Sequence, residues 1–270
     1  MKKLISLALL LFAICSCASV EQTNKTDSET IAVELNDTAS VIERMATTDV
    51  LLLSDHTYPG QLNLSSGGAD GTERLFIDPT IKTLVPKLEN LGLSTYTLNV
   101  EDMIKSKDIQ TKAEFNAAYA EYDKVLAAAV ANKVTIIAIH YDANIIPPQD
   151  YKTGSLYVGG AQVILDDRAV SQASIDFSKT FIEQKILEQL NALGFRIRPG
   201  YENAIRYQAN ITLKNIGLSE GGATLLEIGA QRQALEFFGT PDKTAKAIEG
   251  VLTNIAKLIH KFRLDKQLNN

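Results

Sequence analysis

The sequence predicts an α/β fold: a single three-layer domain in which a mostly parallel, twisted sheet lies between helices. One apolar run, Val134 to Ile139, is interrupted only by Thr135 and offers no polar face, which is typical of a central strand covered by helices on both sides. Two further apolar runs, at residues 50–53 and 223–228, have the length of buried strands. The chain has 270 residues, of which 45% are hydrophobic, so it can bury the core of one such domain.

Residues 1–16 are typical of a signal peptide. Lys2 and Lys3 precede an apolar stretch, Leu4 to Ile14, that is too short to cross a bilayer as a permanent helix. The following residues, up to Cys17, resemble a bacterial lipobox, and this resemblance implies that Cys17 becomes lipid-modified. A signal peptide that is cleaved without lipidation is the alternative.

The residue after Cys17 is Ala18, and not the aspartate that retains lipoproteins in the inner membrane of the resembled system. We therefore expect an exported, outer-membrane lipoprotein that faces the periplasm and contacts the membrane through its N-terminal lipid anchor. Residues 17–48 are rich in polar side chains and are predicted to be a lipidated tether. The folded domain is predicted at residues 49–264, with a short tail at 265–270.

Composition excludes some classes of protein and site. Both cysteines, Cys15 and Cys17, lie at the end of the leader, so the domain has neither a disulfide nor a thiolate ligand. The formal net charge is −5, and an acidic exported protein is not expected to bind nucleic acid. Nothing in the sequence indicates the oligomeric state.

In chain order, the first apolar run ends at His56, and a loop over residues 57–72 follows it. Glu73 opens a predicted helix that ends before Gly92, and Pro79 and Pro86 favour a bend or an interruption within it. The remaining elements are a strand at 93–100, a helix at 112–132, extended segments at 156–165, one long helix at 171–193 and a closing helix at 242–262. Residues 166–168 are interpreted as a solvated turn.

The chemistry depends on the polar residues that end the strands. In open α/β sheets the ligand crevice lies at the carboxyl ends of the strands, so His56 and His140 should meet there. With Glu73 they make two imidazoles and a carboxylate, the ligand set of an open catalytic site for one Zn²⁺. Such a site polarises a carbonyl and acidifies water, which suits amide hydrolysis. The alternatives are that His140 is a core histidine and that Glu73 is a plain carboxylate at a helix start, where the helix dipole favours it.

Other polar residues have weaker signals. Glu227 lies at the end of a buried strand, where it could accept the proton of the attacking water. The alternative is a structural carboxylate in a salt bridge. Asp142 could orient a ligating imidazole, or it could only end the strand. Arg206 and Tyr201 are candidate substrate contacts. His260, between charged residues of the closing helix, is interpreted as a surface histidine.

Four motifs resemble the zinc-dependent N-acetylmuramoyl-L-alanine amidases, which cut bacterial peptidoglycan. They are Leu51 to His56, Glu73, Ile137 to Ala143, and Leu225 to Gly229. The resemblance implies that His56, Glu73 and His140 hold zinc, that Glu227 is the catalytic glutamate, and that the amide between N-acetylmuramic acid and L-alanine is hydrolysed. The alternatives are a zinc peptidase or amidohydrolase on another peptide-like substrate, or a non-catalytic cell-wall-binding lipoprotein with the same fold.

The sequence also departs from that family. Around His56 it has Ser-Asp-His-Thr-Tyr where the family has Asp-Pro-Gly-His-Gly-Gly, and after Gly229 it has Ala-Gln-Arg. The arginine that opens the family's next helix is not evident around Lys112. The expected ligands are therefore present, whereas the groups that position substrate are altered.

Overall fold

The structure is a computed structural model that describes residues 33–62, 72–142 and 159–268. The predicted signal peptide, Cys17 and the first part of the predicted tether lie outside the described residues. None of the described helices is long and apolar enough to cross a membrane.

The described residues form six strands and nine α-helices. The strands are β1 Val50–Ser54, β2 Thr95–Asn99, β3 Thr135–Asp142, β4 Gln162–Leu165, β5 Arg206–Tyr207 and β6 Ala223–Ala230. The helices are α1 Ala39–Arg44, α2 Thr72–Glu89, α3 Lys112–Ala131, α4 Gln172–Glu183, α5 Ile186–Ala192, α6 Ile211–Ile216, α7 Gln231–Phe238, α8 Pro241–Ala247 and α9 Glu249–Leu268.

The strands form one mixed sheet in the order β2-β1-β3-β6-β4-β5. Strands β2, β1, β3 and β6 are parallel, while β4 is antiparallel to β6 and β5 is parallel to β4. The carboxyl ends of four neighbouring strands therefore lie at one edge of the sheet. The predicted fold class, a mostly parallel sheet between helices, is confirmed.

Alternation along the strands divides the core into two clusters. Leu52 and Ile137 belong to a cluster that includes the buried faces of α2, α4 and α9. Leu51 and Ile136 belong to the cluster that includes the buried face of α3. Successive strand residues point to opposite faces, so both faces of the central strands are covered by helices. This accounts for the apolar runs at the centres of β1 and β3.

Two of the predicted helices are divided in the structure, whereas a third is not interrupted by its prolines. The helix α2 is continuous through Pro79 and Pro86, because burial of its apolar face outweighs the local cost of each proline, about 3 kcal/mol. The predicted long helix at 171–193 is two helices, since Lys185 adopts a left-handed conformation with φ of 56° between them. The predicted closing helix is also divided, into α8 and α9 at Ile248, and α9 extends into the predicted tail.

The domain begins before the predicted boundary at residue 49. Val33–Asn270 forms one compact unit, and Met45 is completely buried. Thr38 donates a hydrogen bond of 2.8 Å to Glu121 on α3, and Leu35 pairs with Ile104. Met45, with Val33, Val41 and Ile42, packs residues 33–48 against the core of the domain.

Candidate metal centre and active site

The parallel strands bring the predicted site residues to one place. Asp55 and His56 follow directly after β1, and His140 lies near the end of β3. Glu227 in β6 is the register partner of His140. Glu73 lies in the first turn of α2. Residues that are far apart in sequence therefore meet at the edge of the sheet where the parallel strands end.

The three predicted ligands are buried and their donor atoms converge. His56 Nε2 lies 3.1 Å from Glu73 Oε2 and 3.2 Å from His140 Nδ1. His140 Nδ1 lies 3.1 Å from Glu73 Oε1. Zinc ligands at about 2.0–2.1 Å in a tetrahedral site are separated from one another by about 3.4 Å. The two ring nitrogens lie at nearly the spacing that zinc requires, and each of them faces a different oxygen of the Glu73 carboxylate at a similar distance. Three protein ligands would leave a fourth position open.

Asp55 is a residue of this site that the sequence did not reveal. It lies 3.0 Å from the other ring nitrogen of His140, Nε2, and 3.8 Å from His56 Nε2. The hydroxyl of Thr212 donates a hydrogen bond to the second oxygen of Asp55. The only sequence signal for Asp55 is that it immediately precedes His56.

Two ligand sets can thus be drawn, because Asp55, His56 and His140 also have ligand atoms within 4.8 Å of one another. His140 faces Glu73 with Nδ1 and Asp55 with Nε2, so it can serve only one set for a given ion. The set with Glu73 is the more compact, since the 3.8 Å between Asp55 and His56 exceeds every distance in it. The set with Glu73 is therefore the better candidate on geometry, and in it Asp55 is the carboxylate that contacts the ring of His140.

The charges of these groups favour a cation. Burial would raise the pKa of Asp55, but His140, His56 and Thr212 outweigh it and hold this pKa well below its usual range. Burial would lower the pKa of His140, but Asp55 and Glu73 raise it well above its usual value. Burial does lower the pKa of His56, despite the two carboxylates nearby. A divalent ion between these residues would take the place of the positive charge on His140.

Glu227 is a half-buried acid beside the ligands. Its register partners are His140 on β3 and Gln162 on β4. Its Oε2 is shielded from solvent and has no hydrogen-bond partner within the described residues. Burial, together with the nearby carboxylates of Glu73 and Asp142, raises the pKa of Glu227 well above its usual value. A buried carboxyl group with a raised pKa beside candidate metal ligands is a candidate for proton transfer.

A buried arginine supports the chain next to the first histidine. Arg74, which is 2% exposed, donates from Nη1 to the carbonyl oxygen of His56 over 2.9 Å. The same guanidinium contacts Glu101 at 2.9 Å and Asp78 at 2.5 Å. The ion pairs fix the arginine, and the arginine fixes the backbone of His56.

A second support comes from the turn after β4, where Asp167 and Arg168 are exposed as expected of a solvated turn but Asp166 is not. Asp166 is completely buried and accepts hydrogen bonds from Arg168 at 2.7 Å and from the backbone N–H of Asn210 at 3.1 Å. These bonds hold the pKa of Asp166 well below its usual range. Asn210 caps the N-terminus of α6, which carries Thr212. The turn thus positions the hydroxyl that contacts Asp55.

The remaining predicted residues have different positions. Asp142 lies 3.8 Å from Arg198, whereas Asp55 is the carboxylate at 3.0 Å from His140 Nε2. Arg206 donates to Gln162 at 3.1 Å, and its guanidinium lies 5.8 Å from the ring centre of Tyr201. These groups line one cavity of about 400 Å³. Its lining residues are Asp55, His56, Glu73, His140, Tyr141, Asp142, Gln162, Arg198, Arg206, Gln208, Ala209, Asn210, Thr212 and Glu227. His260 lies on α9, outside this lining.

No protein-family model matches the sequence, and no curated protein matches it. The structure is similar to the apo form of the N-acetylmuramyl-L-alanine amidase Ami1 from Mycobacterium abscessus, with a TM-score of 0.46 and 18% identity, covering 77% of this chain and 97% of that chain. It is similar to Ami1 from Mycobacterium smegmatis, with a TM-score of 0.47, 17% identity and coverage of 79% and 98%. A third similar structure is the CwlD amidase from Clostridioides difficile in complex with the GerS lipoprotein, with a TM-score of 0.46, 16% identity and coverage of 78% and 98%. These similarities are distant, so the function of this chain has to be argued from the residues of its own site.

Proposed function

We propose that the protein is a zinc-dependent amidase that hydrolyses the bond between N-acetylmuramic acid and L-alanine in peptidoglycan. The observation that supports this most strongly is the convergence of His56 Nε2, His140 Nδ1 and Glu73, at 3.1–3.2 Å from one another, beside the half-buried Glu227. The four sequence motifs that resemble the amidase family suggest the substrate, and the cavity of about 400 Å³ offers room for part of a polymer.

The residues have distinct roles in this proposal. His56, Glu73 and His140 would hold the ion, and Asp55 would keep His140 turned so that Nδ1 faces it. Zinc in such a site supplies a Lewis acid that polarises a carbonyl and lowers the pKa of water. Glu227 accepts a proton as water adds to the lactyl carbonyl carbon. It returns that proton to the alanine nitrogen as the C–N bond breaks, which leaves a free carboxylate and a free amine.

We further propose that a lipid on Cys17 anchors the protein to the outer membrane, facing the periplasm. The lipobox-like sequence supports this, and peptidoglycan is the partner that an exported amidase requires. Such an anchor would keep the domain, which begins near Val33, close to its substrate.

The experiment that tests the function combines metal content with product analysis. We expect the purified full-length protein, in detergent, to bind about one zinc per chain and to release stem peptides with a free L-alanine amine from sacculi. Glu227→Gln should keep the zinc and lose the release, because it removes the proton acceptor but no ligand. Cleavage elsewhere in the peptide would support the peptidase alternative, and binding without cleavage the non-catalytic one. A wild-type chain that binds no metal would refute the ligand assignment.

A further inference from the structure

Two arginines line the same cavity and have no part in the amide hydrolysis itself. Arg198 and Arg206 belong to the segment after α5, which runs along the outer edge of β4. Ile197 forms a parallel bridge with Ala161, and Arg206 begins β5. The sheet edge therefore fixes the backbone at both ends of this segment, and both side chains line the cavity with Glu227.

Arg206 lies close to Glu227, and among the described residues its side chain donates one hydrogen bond. Its Nη1 donates to Gln162 Oε1 at 3.1 Å, and Gln162 is the register partner of Glu227. A guanidinium has five N–H donors, and Gln162 supplies the one acceptor that the described part of the chain offers to Arg206. The side chain is half-buried and lines the cavity.

Arg198 adds a second positive charge nearby. It lies 3.8 Å from Asp142, and about a fifth of each side chain is exposed, at 18% and 19%. Two guanidinium groups that line one cavity repel each other, and burial together with the charge of Arg198 lowers the pKa of Arg206. An anion between them would relieve that repulsion. Because Asp142 and Glu227 also line the cavity, a singly charged anion fits this balance better than a doubly charged phosphate.

We propose that Arg206, together with Arg198, forms a subsite for a carboxylate of the substrate, on the peptide side of the bond that is cleaved. This inference rests on the proposed function. Guanidinium groups bind carboxylates through two parallel hydrogen bonds, which fix position as well as charge. The lactyl carboxyl of the muramic acid is consumed in the amide, so the peptide must supply the carboxylate.

The test compares two substrates on the zinc-loaded full-length protein. One is N-acetylmuramoyl-L-alanyl-D-glutamate, and the other is its diamide, in which both carboxylates are carboxamides. We expect Arg206→Gln to lower kcat/KM for the acid by about tenfold or more, mainly through KM, and to leave the diamide nearly unchanged. Arg198→Gln should act in the same direction, and Arg206→Lys should restore part of the preference for the acid.

Arg232→Gln is the matched control, because Arg232 lies on α7 and pairs with Glu236 at 2.9 Å outside the cavity lining. It should change neither substrate. If wild type cleaves both substrates and each cavity variant lowers both rates equally, the subsite is refuted while the amidase function stands. If wild type cleaves neither, the proposed function fails first. Equal melting temperatures of the variants exclude misfolding as the cause of a loss.

Discussion

The substitution Asp55→Asn distinguishes the two ligand sets in which His140 could take part. Asparagine keeps the shape of Asp55 but removes the charge that lies 3.0 Å from His140 Nε2. If Asp55 only holds the ring, zinc affinity should fall by about 10–100-fold, which is about 1.4–2.7 kcal/mol. Glu73→Gln should have a larger effect, because Glu73 contacts both ligating nitrogens at 3.1 Å and would lose its charge as a direct ligand.

The assay is competition for zinc between the full-length protein and a chromophoric chelator, at fixed pH and ionic strength. Thr212→Val is the matched control, because it removes a hydrogen bond to Asp55 and changes no histidine contact. We expect Thr212→Val to weaken zinc binding less than Asp55→Asn does. If Asp55→Asn loses as much affinity as Glu73→Gln, Asp55 is itself a ligand and our assignment is wrong. If Asp55→Asn changes nothing, its contact with His140 has no role in metal binding.

Three further predictions concern stability and anchoring. Arg74→Met should lower the free energy of unfolding of the metal-free protein by about 3–5 kcal/mol in urea, because it leaves Glu101 buried without its partner. The pKa of Asp166 is lower in the folded than in the unfolded state, so its ionised form stabilises the fold. This stabilisation is present above the unfolded pKa of about 3.9 and is lost as the pH falls. The difference in stability between wild type and Asp166→Asn should therefore shrink as the pH falls from about 5 to 2, and a constant difference would contradict this. Cys17→Ser should abolish labelling by a radioactive fatty acid and release the protein from membranes, whereas Cys15→Ser should not.

The sequence predicted those parts of the site that depend on parallel strand pairing. His56 and His140 each follow a buried apolar run, and residues that end parallel strands meet at one edge. Glu227 could be added because a third apolar run surrounds it, and β6 does place it beside His140. Glu73 was predicted from its position at the start of a helix, where α2 indeed begins.

The contacts between side chains could not be predicted from the sequence. Thr212 contacts Asp55 across 157 residues of sequence, and Arg74 reaches Glu101 only because α2 and the turn after β2 lie side by side. No local pattern encodes such contacts, since they arise from packing between elements. The direction of β4 could not be predicted for the same reason. The strand has only four residues, and nothing in so short an apolar segment indicates that it pairs antiparallel with β6.

The first turn of α2 carries Glu73 between two residues, Thr72 and Arg74, that also contact the ends of strands. Thr72 donates a hydrogen bond of 2.7 Å to Gln231, which follows β6. Glu73 contacts both histidines and accepts a hydrogen bond of 2.9 Å from the backbone N–H of Tyr141 in β3. Arg74 holds the backbone of His56 after β1. Three consecutive residues thus contact the ends of three different strands. This turn therefore fixes the relative positions of both histidines through contacts within the protein. Gln231 contributes to it, at a position where the resembled family has other residues.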